Sequence, residues 1–189
     1  MPKLCKSRDR NQSFLTLFYK GVFKMKNNKK LKIYKIDRNY IKYLKESDSQ
    51  MFHDTGSRVY IGILLNVHGL DYFAPLSSFK DKHHHMSNLL DLIKIKEYAV
   101  INLNNMIPVS KSNYKLFDIN NIKNKHYKNL LQREVREINK IRQKIVKNAN
   151  YIYNHKIQNN DSTPLAIRCN NFKKLERKAN QYKKKKEKK

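Results

Sequence analysis

Apolar positions in the first half of the chain come in short runs bounded by polar and turn residues, and in the second half they recur every three or four positions. Leu31 to Ile36 mixes β-branched and aromatic residues with two lysines, as a half-buried strand does, and Asp37 is placed to cap a short helix through Tyr40, Ile41 and Leu44. Residues 45–57 are polar, contain Gly56 and lack periodicity, so they read as a loop. Residues 58–67, RVYIGILLNV, form a strong strand pattern, and His68-Gly69 marks a turn into a second run from Asp71 to Leu76. A β-hairpin is predicted, with Pro75 near the end or edge of its strand because proline donates nothing to a ladder. After the polar segment 77–88, Leu89 to Ile95 and Tyr98 to Leu103 read as further strands, with Met106 to Val109 continuing the second.

From Lys125 the period changes. Tyr127, Leu130, Leu131, Val135, Ile138, Ile141, Ile145, Ala149 and Ile152 stand mostly three and four apart, which predicts one long amphipathic helix. Met106, Ile107, Ile138, Ile141 and Ile145 are expected in the core. A loop from Gln158 to Pro164 ends the helix, and Leu165–Ile167 and Phe172–Leu175 are the last apolar stretches. The expected fold class is α+β, a compact antiparallel sheet with packed helices.

A length of 189 residues suits one domain. That domain is expected over residues 31–182. Residues 1–30 read as an N-terminal extension, with Met25 a second possible start, and residues 183–189 as a lysine-rich tail that self-repulsion keeps disordered. The first stretch has a short apolar patch interrupted by Lys20 and no small-residue cleavage site, so it does not read as a signal peptide. No apolar run approaches the roughly 20 residues of a membrane helix. Two cysteines without ligand spacing suggest neither a disulfide framework nor zinc, and a reducing cytoplasm is the expected location.

Charge narrows the function. Lys and Arg number 42 against 15 acids, a net charge of +27, with 12 Tyr and 8 Phe interleaved. A polyanion is the expected partner, and aromatic faces among cations favour nucleic acid over a membrane surface. Arg133, Arg136 and Lys140 on the polar side of the long helix are candidate RNA contacts or an ordinary solvated face.

No phosphate-cradling glycine loop, dinucleotide fingerprint or H-E-x-x-H is present, and the acids stand apart in sequence, which disfavours nucleotide hydrolysis and two-metal chemistry. No metal and no cofactor is expected. RNA carries its own nucleophile. An enzyme using the 2′-hydroxyl needs a proton acceptor, an acid for the leaving oxygen, and donors and cations for the charge at phosphorus. Ser77, Ser78, Lys80 and Arg58 around the hairpin supply such donors and cations; a plain turn with a surface lysine is the other reading. Lys82, His83 and His84 continue a basic segment expected to face RNA, one of the histidines in His83–His85 being a candidate acid.

Six ordered blocks, YIKYLKE (40–46), YIGILL (60–65), YFAPLSSFK (72–80), INLNNMIPV (101–109), HYKNLLQ (126–132) and CNNFKKLE (169–176), resemble the toxin of type III toxin–antitoxin systems, the family of ToxN and AbiQ. The resemblance implies a strongly twisted sheet similar to the Kid/MazF toxins and a sequence-preferring endoribonuclease that works without metal and leaves a 2′,3′-cyclic phosphate and a 5′-hydroxyl. By motif it places the catalytic serine on Ser78, the preceding hydroxyl on Ser77, the lysine on Lys80 and a basic residue, often lysine, on Arg58. Phe79 stands where the family often has proline, and a tyrosine of the preceding loop has no clear match among Phe52, His53 and Asp54. It also implies an RNA antitoxin of short pseudoknot repeats that closes a ring, commonly three toxins with three RNAs, in a growth-arrest or phage-defence role. A non-catalytic, ribosome-associated RNA-binding protein is the alternative.

Overall fold

The computed structural model describes residues 30–47 and 58–187. Residues 1–29, Met25 among them, and Phe52, His53 and Asp54 lie outside the described residues. Strand β1 (Lys32–Ile36) leads into helix α1 (Arg38–Ser47), and the hairpin follows as β2 (Val59–Val67) and β3 (Leu70–Ser78). Then come β4 (Leu92–Ile95), β5 (Ala99–Asn102), β6 (Ile107–Val109) and β7 (Tyr114–Leu116), and after them the helices α2 (Lys125–Lys140), α3 (Arg142–Asn159), α4 (Pro164–Ile167) and α5 (Phe172–Glu187). All strand pairs are antiparallel. The sheet runs β4-β5-β3-β2-β1-β7, with β6 also on β3. The expected α+β architecture is present.

Local chemistry accounts for the early elements. Asp37 Oδ1 accepts from the backbone N–H groups of Asn39 and Tyr40, at 2.8 and 3.0 Å, and so caps α1. His68 and Gly69 both have positive φ, 49° and 79°, as a two-residue turn of the primed type requires. The sheet is covered on both faces. Val59, Ile61, Tyr72, Ala74 and Leu76 pack with Leu131, Ile138, Ile145 and Ile152 of α2 and α3. Tyr60 and Phe73, on the alternate side of the pleat, pack with Tyr40, Ile41 and Leu44 of α1 and Leu175 and Ala179 of α5. Two covered faces explain why β2 reads as a continuous apolar run instead of alternating.

Four expectations change. Pro75 lies inside β3, opposite Tyr60, and not at an end. On the other side of β3 the ladder passes from β6, which ends at Phe73, to β5, which starts at Leu76, so proline occupies a stretch where that ladder is interrupted. Residues 106–109 do not continue the preceding strand, because a 3₁₀ turn at Leu103–Asn105 redirects the chain to the other end of β3. The long helix is broken at Ile141, whose φ of −110° and ψ of 17° leave the helical region. Two helices of 16 and 18 residues result. A straight helix of that combined length would span about 50 Å, more than a small domain, and the bend keeps both halves on the sheet. Ile141 is accordingly only partly buried, whereas Met106, Ile107, Ile138 and Ile145 are fully buried. Finally, residues 183–187, expected to be disordered, continue α5. Tyr182 packs edge-on to Tyr40 at 5.1 Å and tilted to Tyr43 at 5.0 Å, which anchors the turn before the lysines, and lysine is itself a good helix former. No described helix is long and apolar enough to cross a membrane.

Candidate active site

The polar end of β3, the start of β2, the segment after β3 and the first half of α2 enclose an open cleft of about 620 Å³. Arg58, Ser77, Ser78 and Lys80 all line it, as do Lys82 and His83. Arg58 and the segment Ser77–His83, up to 25 positions apart in sequence, are brought together because β2 and β3 pair antiparallel, setting Val59 against Leu76 and so the start of one strand beside the end of the other. Ser77 and Ser78 pair with Val100 and Ala99 of β5, and the Phe79 N–H donates to the Tyr98 carbonyl at 3.2 Å, which extends the ladder to the rim. The pleat puts Ser78 on the side of Leu76 and Ala74, the side packed against α2 and α3, and Ser77 on the other. There the Asn102 amide donates to Ser77 Oγ at 3.4 Å. Ser78 is exposed and Ser77 half-buried.

The segment 80–86 is folded by a histidine. His83 is buried, in a 3₁₀ turn over Asp81–His83, and its Nδ1 accepts the backbone N–H of Lys80 at 2.8 Å. Its pKa is lowered by burial first and then by Lys82, Lys80, Lys94 and His84. The neutral ring therefore carries its proton on Nε2, as a hydrogen-bond donor in a wall that otherwise holds cations. Phe79 packs edge-on against both rings, at 5.3 Å from His83 and 4.9 Å from His84, and so fills the position between Ser78 and Lys80 with a hydrophobic brace. His84 itself is exposed, with Nδ1 3.9 Å from Glu97, and does not line the cleft.

Helix α2 closes the opposite wall. Asn124 caps it, accepting from the Tyr127 N–H at 2.9 Å, and Tyr127, Leu130, Leu131 and Glu134 face the cleft. Glu134 is 4% exposed, and burial pushes its carboxyl up to about 7. Tyr127 is held above the ordinary phenol range by burial and then by Glu134. This carboxyl was not singled out from the sequence, although the signal is there: Glu134 interrupts the apolar stripe three positions after Leu131. Arg133, Arg136 and Lys140 are exposed on α2 and outside the cleft, Lys140 pairing with Glu137 at 2.8 Å. Among the described residues no three His, Cys, Asp or Glu side chains gather as a metal-binding group.

Chemically, the cleft unites cations from two chain segments, two serine hydroxyls and a phenol, a neutral imidazole donor and one carboxyl with a pKa near 7. That set suits an anionic ligand whose charge grows during reaction.

Comparison with known proteins shows what the chain is similar to. Residues 32–180 match the family described as the toxin ToxN of type III toxin–antitoxin systems. The chain is 31% identical over 141 residues to the endoribonuclease ToxN of Pectobacterium atrosepticum, covering 68% of this chain and 82% of that one. It is 27% identical over 184 residues to the endoribonuclease AbiQ of Lactococcus lactis subsp. lactis, covering 90% and 97%. A solved structure from work on selective toxin inhibition by a non-coding RNA pseudoknot superposes with a TM-score of 0.69 at 26% identity, over 82% of this chain and 99% of that one. The matched residues span the sheet, the cleft, α2 to α4 and the first part of α5, and the chain belongs to the ToxN toxin family of type III toxin–antitoxin systems.

Proposed function

We propose that this chain is a metal-independent endoribonuclease toxin, which cuts RNA to 2′,3′-cyclic phosphate and 5′-hydroxyl ends and is held inactive by a small repeated RNA. The observation that carries the reading is the convergence of Arg58, Ser77, Ser78 and Lys80 with His83 and Glu134 on one cleft. A carboxyl near pH 7 exists in both protonation states at working pH, as a proton acceptor for the 2′-hydroxyl must. Ionised Glu134 takes that proton while the 2′-oxygen bonds to phosphorus. The bond to the 5′-oxygen then breaks, and that oxygen takes a proton from water admitted by the open cleft. Lys80 and Arg58 meet the charge that builds on the phosphoryl oxygens, and the Ser78 hydroxyl and His83 Nε2–H add fixed donors. A basic cleft that receives substrate receives an inhibitory RNA by the same charge. A closed assembly of three toxins with three RNAs in the cytoplasm completes the proposal.

The test is cleavage of RNA by purified protein in EDTA, with mapped termini. Cyclic phosphate and 5′-hydroxyl ends are expected. Abolition by EDTA, or 5′-phosphate ends, would overturn the mechanism, and binding without cleavage would favour a non-catalytic RNA-binding protein.

A further inference from the structure

Outside the cleft, one face of α3 combines cations with an exposed tyrosine and a half-buried histidine stacked on it. Lys144, Asn148, Tyr151 and His155 stand four, three and four positions apart, which sets them on one stripe, with Lys147 flanking it four before Tyr151. Tyr151 is 46% exposed and stacks on His155, with centroids 5.7 Å apart and planes at 21°. The histidine ring is fixed at both nitrogens. Its Nε2 lies 2.7 Å from Thr163 Oγ1, and its Nδ1 lies 3.3 Å from the Asn159 amide. Thr163 is held in turn as the cap of α4, accepting from the Ala166 N–H at 3.1 Å.

We infer that Tyr151, braced by His155, is a nucleobase-stacking platform for single-stranded RNA running to or from the cleft; the inference rests on the RNA-binding reading above. A base stacked on an aromatic ring needs a ring that does not move on binding, because immobilising a free side chain opposes association. His155 removes that cost. Lys144 and Lys147 are exposed beside the ring and match the phosphate that accompanies each base. An unpaired base offers its face to such a ring, whereas a duplex keeps its faces stacked. The route to the cleft is also on the surface. Asn148, on the same stripe, donates from its amide to the Leu90 carbonyl at 3.1 Å, so the segment from Met86 to Leu92 abuts this face of α3. Both ends of that segment, Met86 and Leu92, line the cleft, and between them Leu89 and Leu90 are 44% and 48% exposed. Apolar side chains in that position cover the strand's bases between cleft and platform.

The experiment uses the full chain carrying Ser78→Ala, which slows cleavage, and reads fluorescence anisotropy with a labelled single-stranded oligouridine and with a blunt RNA duplex. Tyr151→Ala is expected to weaken single-strand binding roughly 5- to 100-fold, as loss of one base–aromatic stack does, and to leave duplex binding unchanged. Tyr151→Phe should restore binding and Tyr151→Leu should not, since bulk alone does not stack. Lys147→Gln should lower the slope of log affinity against log salt by about 0.7. A folded, repeat-derived RNA in a third arm tells the sources apart: a loss confined to unstructured RNA assigns the platform to substrate, and a loss on the folded RNA as well assigns it to both. If the parent protein binds no RNA, the RNA-binding reading fails. If it binds and the Tyr151 variants bind equally well, the pair is an ordinary surface contact and the platform is overturned.

Discussion

The backbone N–H of Lys80 donates to Nδ1 of His83 at 2.8 Å, tying the cation of the Ser-Ser-x-Lys segment to the histidine three residues on. The bond selects the tautomer with its proton on Nε2, while burial and then the neighbouring cations lower the ring's pKa. His83→Ala should slow RNA cleavage by roughly 10- to 100-fold through loss of a donor and of the loop's shape. His83→Gln, which keeps an N–H near the Nε2 position, should recover part of it. A folded pKa below the unfolded value means that His83 contributes stability above the unfolded value of about 6.5, lost as pH falls through the folded one. Denaturation midpoints across pH 4 to 7 should show this acid-side loss shrinking in His83→Gln; an identical pH profile in both proteins would remove the role.

Ser78→Ala should fold with an unchanged melting temperature, bind RNA as the parent does and cut it on the order of 100- to 1000-fold more slowly, the loss typical of one fixed donor at a developing charge. Ser77→Ala should be milder, because that hydroxyl is half-buried and already engaged by the Asn102 amide, whereas Ser78 is exposed to the cleft. Single-turnover cleavage measures both. Equal losses would mean that the pleat does not separate their roles.

Glu134→Gln should lower the cleavage rate by roughly 100- to 10,000-fold as a lost general base and remove the limb of the pH–rate profile near 7. Stability should move the other way. A carboxyl raised from 4.5 to about 7 binds its proton more tightly when folded, so the parent loses stability as pH rises through that window. At about 1.4 kcal/mol per pH unit the loss amounts to about 3 kcal/mol, opposite in sign to the His83 effect. Urea titrations at pH 5 and 8 should find Glu134→Gln without this loss toward alkaline pH and more stable than the parent at pH 8. A variant less stable at pH 8 would show that the carboxyl is held by a partner in its ionised form.

In the core, Ile138→Ala should cost about 2 to 5 kcal/mol, since that side chain is 0% exposed between α2 and the sheet. Ile141→Ala, at the partly buried break between helices, should cost clearly less. Equal losses would show that α2 and α3 form one continuous buried face in solution.

Gly62→Ala places a methyl group 2.2 Å from Phe73 Cδ1, inside contact distance of a ring that is itself fully buried. Overpacking of this kind costs about 1 to 3 kcal/mol. Phe73→Leu should relieve part of the loss in the double variant, as a thermodynamic cycle would measure; strictly additive effects would place the strain elsewhere.

What could be read from the chain alone was what depends on neighbours in sequence. The Asp37 cap, the His68-Gly69 turn, the hairpin and the period of α2 follow from backbone preferences and spacing within a few residues, and the charge of +27 follows from composition. The serines, Lys80 and Arg58 were legible as candidate donors and cations, but only the order of family-like blocks favoured catalysis over a plain turn, because no local rule distinguishes a catalytic serine from a turn serine. Tertiary structure decided the rest. It broke the predicted long helix at Ile141, since one straight rod cannot stay on a sheet of this size, and it carried the period of α5 into the lysines, since Tyr182 packs on Tyr40 and Tyr43. It left Arg133, Arg136 and Lys140 outside the cleft while bringing Glu134 into it. A carboxyl's pKa is set by desolvation, and desolvation depends on what packs over the group from elsewhere in the chain; Glu134 acquires its value near 7 only when α2 closes over the end of β3.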